Sequence, residues 1–366
     1  MDQLDSIIDQ LAAPAREQLT GRRTFLRGAA GLGLTLPAAL GLKSTLAQDD
    51  GTPTPAEGHD GGYVGSHGDT AGGTGAATPA PLTVIPFQRY DPMLPAVQPG
   101  EKQINLTVVD NIVQEIAPNV QFAGWTFNST IPGPLLRVVE GDTVNVNFSV
   151  SEGANWHSLD FHAAQTPPDV NYRSIGPGQE LNYSYTANFP GSFMYHCGTP
   201  PVLMHIGAGM YSGIIVDPKE GWAPAQEIGL IQSEFYLNPP VEGETVRLPD
   251  YNRMFEQKLD YVVFNGHATQ YVDEPIKVKA GEPIRIFVVN AGPNVFCTFH
   301  VVGAIFDAAY FNANPKNKLV GQQSMSIGPG DGMCVELTLH EPGIYPAVNH
   351  AFGHAAHGAI ALLHAE

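Results

Sequence analysis

The sequence predicts an all-β protein built from two tandem Greek-key sandwiches, preceded by an export signal and a disordered linker. Three observations carry that expectation. Charged residues make up only 15% of the 366-residue chain, while Gly (40) and Pro (31) are abundant among Val-, Thr- and Tyr-rich runs. That composition suits short strands joined by many turns. A motif also recurs. Ser174-Ile175-Gly176-Pro177-Gly178 returns as Ser326-Ile327-Gly328-Pro329-Gly330, each followed at equal spacing by a Pro-Gly turn, Pro190-Gly191 and Pro342-Gly343. Upstream, Leu136–Val144 matches Ile276–Ile284 as strand, glycine turn and strand. The repeat, in a chain long enough for two cores, places domains at 82–218 and 225–366.

The elements before the first domain read differently. Residues 1–47 resemble a twin-arginine export signal: Arg22-Arg23-Thr24-Phe25-Leu26, an apolar stretch from Gly28 to Leu42, and the small-residue cleavage site Thr45-Leu46-Ala47. The apolar stretch is short and glycine-rich for a membrane span. Export by that route implies a periplasmic or other extracytoplasmic location. Residues 48–81 are low-complexity Gly, Thr, Ala, Pro and Asp, expected to be a disordered linker; His59 and His67 there read as incidental. The formal net charge of −18 argues against nucleic acid as a partner and suits a soluble exported protein or docking to a basic electron carrier.

In the first domain the run Tyr195-His196-Cys197 to Met210 holds three ligand types of a blue copper site: Cys197, His205 and Met210. A thiolate and imidazoles in a trigonal set, with a weak axial methionine, select copper and tune it for electron transfer. The upstream run Trp156-His157-Ser158-Leu159-Asp160-Phe161-His162 supplies His157 to complete that set. His196 must point to the opposite face of its strand from Cys197, because successive side chains alternate. With His162 it suggests a second metal wired to the first. Any one of these histidines alone reads as a surface or core residue, and a lone cysteine as an inert thiol; the joint pattern does not.

The second domain lacks a Cys-His-Met run but keeps His300, in Cys297-Thr298-Phe299-His300, and His350, in Val348-Asn349-His350. A third histidine from that domain would complete a catalytic site with an open position. The remaining cysteines, Cys297 and Cys334, read equally well as a disulfide or as two buried free thiols.

These residues resemble copper-containing nitrite reductases of the two-domain cupredoxin type, a branch of the multicopper oxidase superfamily. The likeness runs from Phe127-Asn128-Ser129-Thr130-Ile131-Pro132-Gly133-Pro134 to the His350 strand and includes Val262-Val263-Phe264-Asn265-Gly266-His267. It implies two coppers per subunit: type 1 copper on His157, Cys197, His205 and Met210, and type 2 copper on His162, His196 and the neighbouring subunit's His350. It therefore implies a homotrimer. It also implies reduction of nitrite to nitric oxide with one electron and two protons, the electron passing from type 1 to type 2 copper through Cys197 and His196. Asp160 and His300 match the family's proton-handling pair, and Val302 its apolar residue over the substrate. The electron would come from a small cupredoxin or a cytochrome c.

The chain departs from the family at Gln165–Arg173, at Gly198–Pro201, at Asn312–Lys318, and in the extra histidines His354 and His357, which read as surface residues. The alternatives are a laccase-like oxidase, whose three-copper cluster would need His-x-His pairs this chain lacks, and an exported copper electron carrier or store, which would need no Asp160–His300 pair.

Overall fold

The computed structural model describes residues 81–366; the export-signal reading and nearly all of the expected linker lie outside them. The first sandwich is made of β1 (Thr83–Val84), β2 (Lys102–Ala117), β3 (Val120–Phe127), β4 (Leu136–Val139), β5 (Thr143–Val150), β6 (Asp160–Phe161), β7 (Glu180–Thr186), β8 (Gly191–His196) and β9 (Tyr211–Asp217). The second uses β10 (Gln226–Phe235), β12 (Tyr261–Phe264), β13 (Ile276–Val278), β14 (Pro283–Gly292), β15 (Cys297–Val301), β16 (Ala308–Phe311), β17 (Lys318–Leu319), β18 (Met325–Ile327), β19 (Gly332–Thr338), β20 (Gly343–Asn349) and β21 (Ile360–Ala365), while β11 (Val246–Arg247), between β10 and β12 in the chain, joins the first.

Four sheets result. β11-β3-β2-β5-β7, with β1 beside β2, faces β4-β9-β8-β6; β12-β10-β14-β19-β16-β17 faces β13-β21-β20-β15-β18. In β5 and β7 the inward residues alternate with polar outward ones, as expected of a half-buried antiparallel pair: Val144, Val146 and Phe148 meet Leu181, Tyr183 and Tyr185 in the first core. That alternation vanishes in β9, β10 and β14, which are buried almost throughout. The cause is that the two sandwiches stack. Met194, Tyr211, Ile231, Val263 and Val289 form one shared apolar cluster between them.

The junction is both close and polar. A Cβ on Gly332 of β19 would lie 1.9 Å from the Ser192 carbonyl oxygen of β8, so only glycine lets the backbones approach this far. Glu227 bridges Arg137 of the first sandwich (2.7 Å) and Arg285 of the second (2.8 Å), and both guanidiniums are buried. Each sandwich also receives a segment from elsewhere in the chain: Val246 and Arg247 of β11 pair with β3, and Met93 bridges to Ile228.

The repeat becomes one supersecondary unit used twice. Each copy of Ser-Ile-Gly-Pro-Gly leads to a long strand, β7 or β19, and a Pro-Gly turn then begins β8 or β20; β8 ends at His196, and His350 follows directly on β20. All three cysteines are free and buried, which settles the question left open for Cys297 and Cys334: Cys297 sits in the second core and Cys334 in the junction.

Candidate metal centres

The first centre lies where β8 ends. Cys197 follows directly on β8, and a short helix over Val202–Gly207 returns His205 to it. Backbone bonds from Cys197 to the Met210 carbonyl and from Met210 to the His205 carbonyl close that loop, with Met210 fully buried. His157 arrives from the segment before β6, pinned by backbone bonds in both directions with Ile175. The Nδ1 atoms of His157 and His205 are 3.1 Å apart, and the Cys197 sulfur is 3.2 Å from His205 Nδ1 and 3.8 Å from His157 Nδ1. A triangle of that size encloses a point about 2 Å from each corner, the bond length a transition metal makes to imidazole.

The electrostatics suit a cation there. Burial alone would push the Cys197 thiol up, but the facing His157 and His205 rings outweigh it and hold it well below the usual thiol value. Burial likewise works against a charged His157, yet hydrogen bonds to Asp110 and Cys197 raise it to about 9. The Ser158 backbone N–H points at the sulfur from 3.4 Å.

The second cluster lies one residue away on the opposite face of β8. His196 and His162 face each other with their Nε2 atoms 3.0 Å apart, and Asp160 places Oδ2 4.0 Å from His196 Nε2. Register explains the arrangement: Asp160 of β6 pairs directly with His196 of β8, and the His162 N–H bonds to the Met194 carbonyl. His196 donates from Nδ1 to the Cys197 carbonyl at 2.9 Å, which fixes its tautomer and leaves Nε2 free to ligate. Desolvation and the facing His196 ring push His162 below the ordinary imidazole value, which favours its neutral, ligating form. The set Asp160, His162 and His196 is the second group of metal-ligand atoms that converge among the described residues.

Among the described residues no third histidine joins it. His300 and His350 lie beside each other elsewhere, with ring centroids 5.5 Å apart, His350 exposed and stacked edge-on against Phe352 at 4.8 Å. The β15–β20 ladder puts them together by pairing His300 with Val348. His300 is held through Nδ1 to the Gln323 carbonyl. What the second sandwich does bring to this second cluster is Gly330, whose carbonyl accepts from the His162 ring.

The multicopper oxidase family profile matches residues 109–221, the stretch that holds both clusters. A copper-containing nitrite reductase of Neisseria meningitidis serogroup A is 35% identical over 275 residues, covering 73% of this chain and 70% of its own length. This chain belongs to the copper-containing nitrite reductase family. A solved copper nitrite reductase from Nitrosomonas europaea matches with a TM-score of 0.68 at 37% identity, over 73% of this chain and 94% of that one. The copper-containing nitrite reductase of Thermus scotoductus matches with a TM-score of 0.66 at 35% identity, over 73% of this chain and 62% of that one.

Within the copper nitrite reductase family frame, the departures noted in the sequence take definite places. Gln165–Arg173 forms a short helix over Pro168–Asn171 with no buried residue, anchored by Tyr172, whose hydroxyl bonds to the Phe161 carbonyl. Thr199 of the Gly198–Pro201 insert bonds to Ser174 at 2.8 Å, so this insert is tied to the end of that loop. His357 bonds to the Asp260 carbonyl and His354 to the Asn349 side chain, and neither joins a ligand cluster among the described residues.

Sequence reading missed four residues at these centres. They are Asp110, Trp125, Ser158 and Gly330. Trp125 stands edge-on to both His157 (5.6 Å) and His205 (4.9 Å). Asp110 had a signal. It follows Ile104, Leu106 and Val108 in the inward alternation of β2, where an acid is out of place.

Proposed function

We propose that this protein reduces nitrite to nitric oxide, taking up one electron and two protons and releasing water, and that it does so as an exported homotrimer. The observation that carries the reading is the division of the second centre. Asp160, His162 and His196 form an incomplete ligand set on one sandwich, and His300 with exposed His350 forms a matching pair on the other. A neighbouring subunit that apposes these surfaces completes a three-histidine site flanked by a carboxyl group and an imidazole.

His157, Cys197, His205 and Met210 would hold type 1 copper; His162, His196 and a neighbour's His350 would hold type 2 copper. Bound there, copper supplies one-electron transfer between the centres along the covalent Cys197–His196 link and an open position for nitrite.

The chain's own residues do the rest. The His196 Nδ1 bond to the Cys197 carbonyl holds that link rigid. Asp160, beside the ligating edge of His196, hydrogen-bonds nitrite and donates a proton to the departing oxygen. His300 has Nδ1 committed to Gln323, so Nε2 is its exchangeable edge and supplies the second proton. Val302 bounds the substrate's position. An external cupredoxin or cytochrome c supplies the electron, and Trp156, 57% exposed next to His157, brings the first centre within one residue of solvent.

Oxygen reduction at a three-copper cluster finds no support in two separate clusters of single-metal size. The deciding assay gives copper-loaded protein nitrite or oxygen under a reductant while recording nitric oxide with an electrode. Nitric oxide formation is expected. Oxygen consumption without it would overturn the proposal.

A further inference from the structure

The inward face of β2 reads Ile104, Leu106, Val108 and then Asp110, only 5% exposed. A carboxylate among apolar neighbours is costly to bury unless donors face it. Local backbone geometry aims it. The register between β2 and β3 shifts between Val109 and Ile112, Asn111 takes a φ of +57°, and the pairing of β2 with β5 ends at Val108. This bulge delivers the Asp110 carboxylate to the back of His157. Its Oδ2 accepts from His157 Nε2 at 3.2 Å, while Oδ1 lies 3.0 Å from the same nitrogen as an ion-pair contact without a hydrogen bond of its own. Oδ2 also accepts from the backbone N–H (2.9 Å) and the side-chain amide (2.8 Å) of Asn155. The other nitrogen of the same ring, Nδ1, is the one that faces Cys197 and His205.

We propose that Asp110 is a positioning residue of the first centre that lowers its reduction potential by accepting the Nε2–H of His157. The hydrogen bond fixes the tautomer that leaves Nδ1 free to ligate and holds the ring's orientation. It also places a full negative charge one imidazole away from the metal position, in a dry surrounding where charge is weakly screened. Both effects favour the more highly charged, oxidised metal over the reduced one. A lower potential makes the first centre a stronger donor to the second. Asn155 moderates the effect, because each donor it offers withdraws charge from the carboxylate. The inference rests on the reading of this centre as a type 1 copper site.

The test is a redox titration of the thiolate-to-copper visible band in purified, copper-loaded protein. In Asp110→Asn the charge is gone while the shape is kept. The ratio of reduced to oxidised centre at a fixed poise should rise at least tenfold, a shift of about 59 mV upward for a one-electron couple. Asn155→Ala removes one donor from the carboxylate at a surface position, so its midpoint should move the opposite way, downward. General loosening of the site cannot produce that pair of opposite shifts. An unchanged or lowered midpoint in Asp110→Asn overturns the proposal. If that variant does not fold, the Asn155→Ala midpoint decides alone, and an unchanged or raised value overturns it. Absence of the band in the unsubstituted, copper-loaded protein would instead overturn the copper reading itself.

Discussion

Cys297, Cys334 and Cys197 are all fully buried, yet burial pushes the first two thiols well up while Cys197 is held well below the usual value. Two imidazoles within hydrogen-bond reach make the difference. They turn an ordinary inert core cysteine into a thiolate, which is the species a soft metal binds. Cys197→Ala should therefore abolish the visible charge-transfer band and leave about one copper per subunit, read by absorption and metal analysis. Colour retained in that variant would reject the first centre. Met210→Leu should keep the band and raise the midpoint potential, because the axial ligand tunes the site without creating it. Asp160 tests the other cluster. Asp160→Asn keeps size and hydrogen bonding but removes the acid, so copper content and the band should stay while nitrite turnover falls roughly 10²–10⁴-fold. Full turnover would make Asp160 only a structural neighbour of His196.

At the scale of elements, one strand end organises both centres. β8 places His196 and Cys197 on opposite faces because consecutive strand residues alternate, and β6 pairs with it in the register that sets Asp160 against His196. The position of β8 depends in turn on β19, which crosses it where Gly332 meets the Ser192 carbonyl. Gly332→Ala should destabilise the protein by about 1–3 kcal/mol, the usual cost of overpacking, in denaturant unfolding. An unchanged midpoint would mean that the sandwiches separate easily. The same junction carries the Arg137–Glu227–Arg285 bridge. Glu227→Ala leaves Arg137 with Asp217 and Arg285 with Glu336, so the loss should be that of a charged hydrogen bond, about 1.5–3 kcal/mol. A loss near zero would show that the two remaining pairs satisfy both cations.

On the proposed reading, the whole molecule holds its second centre in two halves, the His162–His196 cluster and the His300–His350 pair. If the halves belong to different subunits, His162→Ala and His350→Ala should each lose the second copper and turnover while keeping the visible band. Mixed trimers of the two inactive variants should regain turnover, because some interfaces then pair an intact His162 cluster with an intact His350 pair. Separately purified chains would be unfolded together, refolded and assayed, with light scattering to establish size. No recovery in confirmed mixed trimers would reject the shared site, as would an active monomer. Metal bound at such an interface also stabilises the assembly by linkage, so chelation should lower the melting temperature in a concentration-dependent way.

Much was legible in the chain itself, and for physical reasons that act locally. The repeat of Ser-Ile-Gly-Pro-Gly and its Pro-Gly turns encodes one β unit twice, since turn chemistry depends on a few adjacent residues. The runs His157–His162 and His196–Met210 name ligand types, since metal preference follows from donor chemistry. Alternation alone separates His196 from Cys197. Tertiary structure decided what depends on stacking and register. It left Cys297 and Cys334 as separate free thiols, buried β9, β10 and β14 on both faces, and kept His300 and His350 away from the cluster of their own chain. It also turned Asp110, an acid in an apolar row, into the carboxylate behind His157. Each of these outcomes depends on contacts between segments far apart in sequence, whose meeting only the packing of four sheets determines.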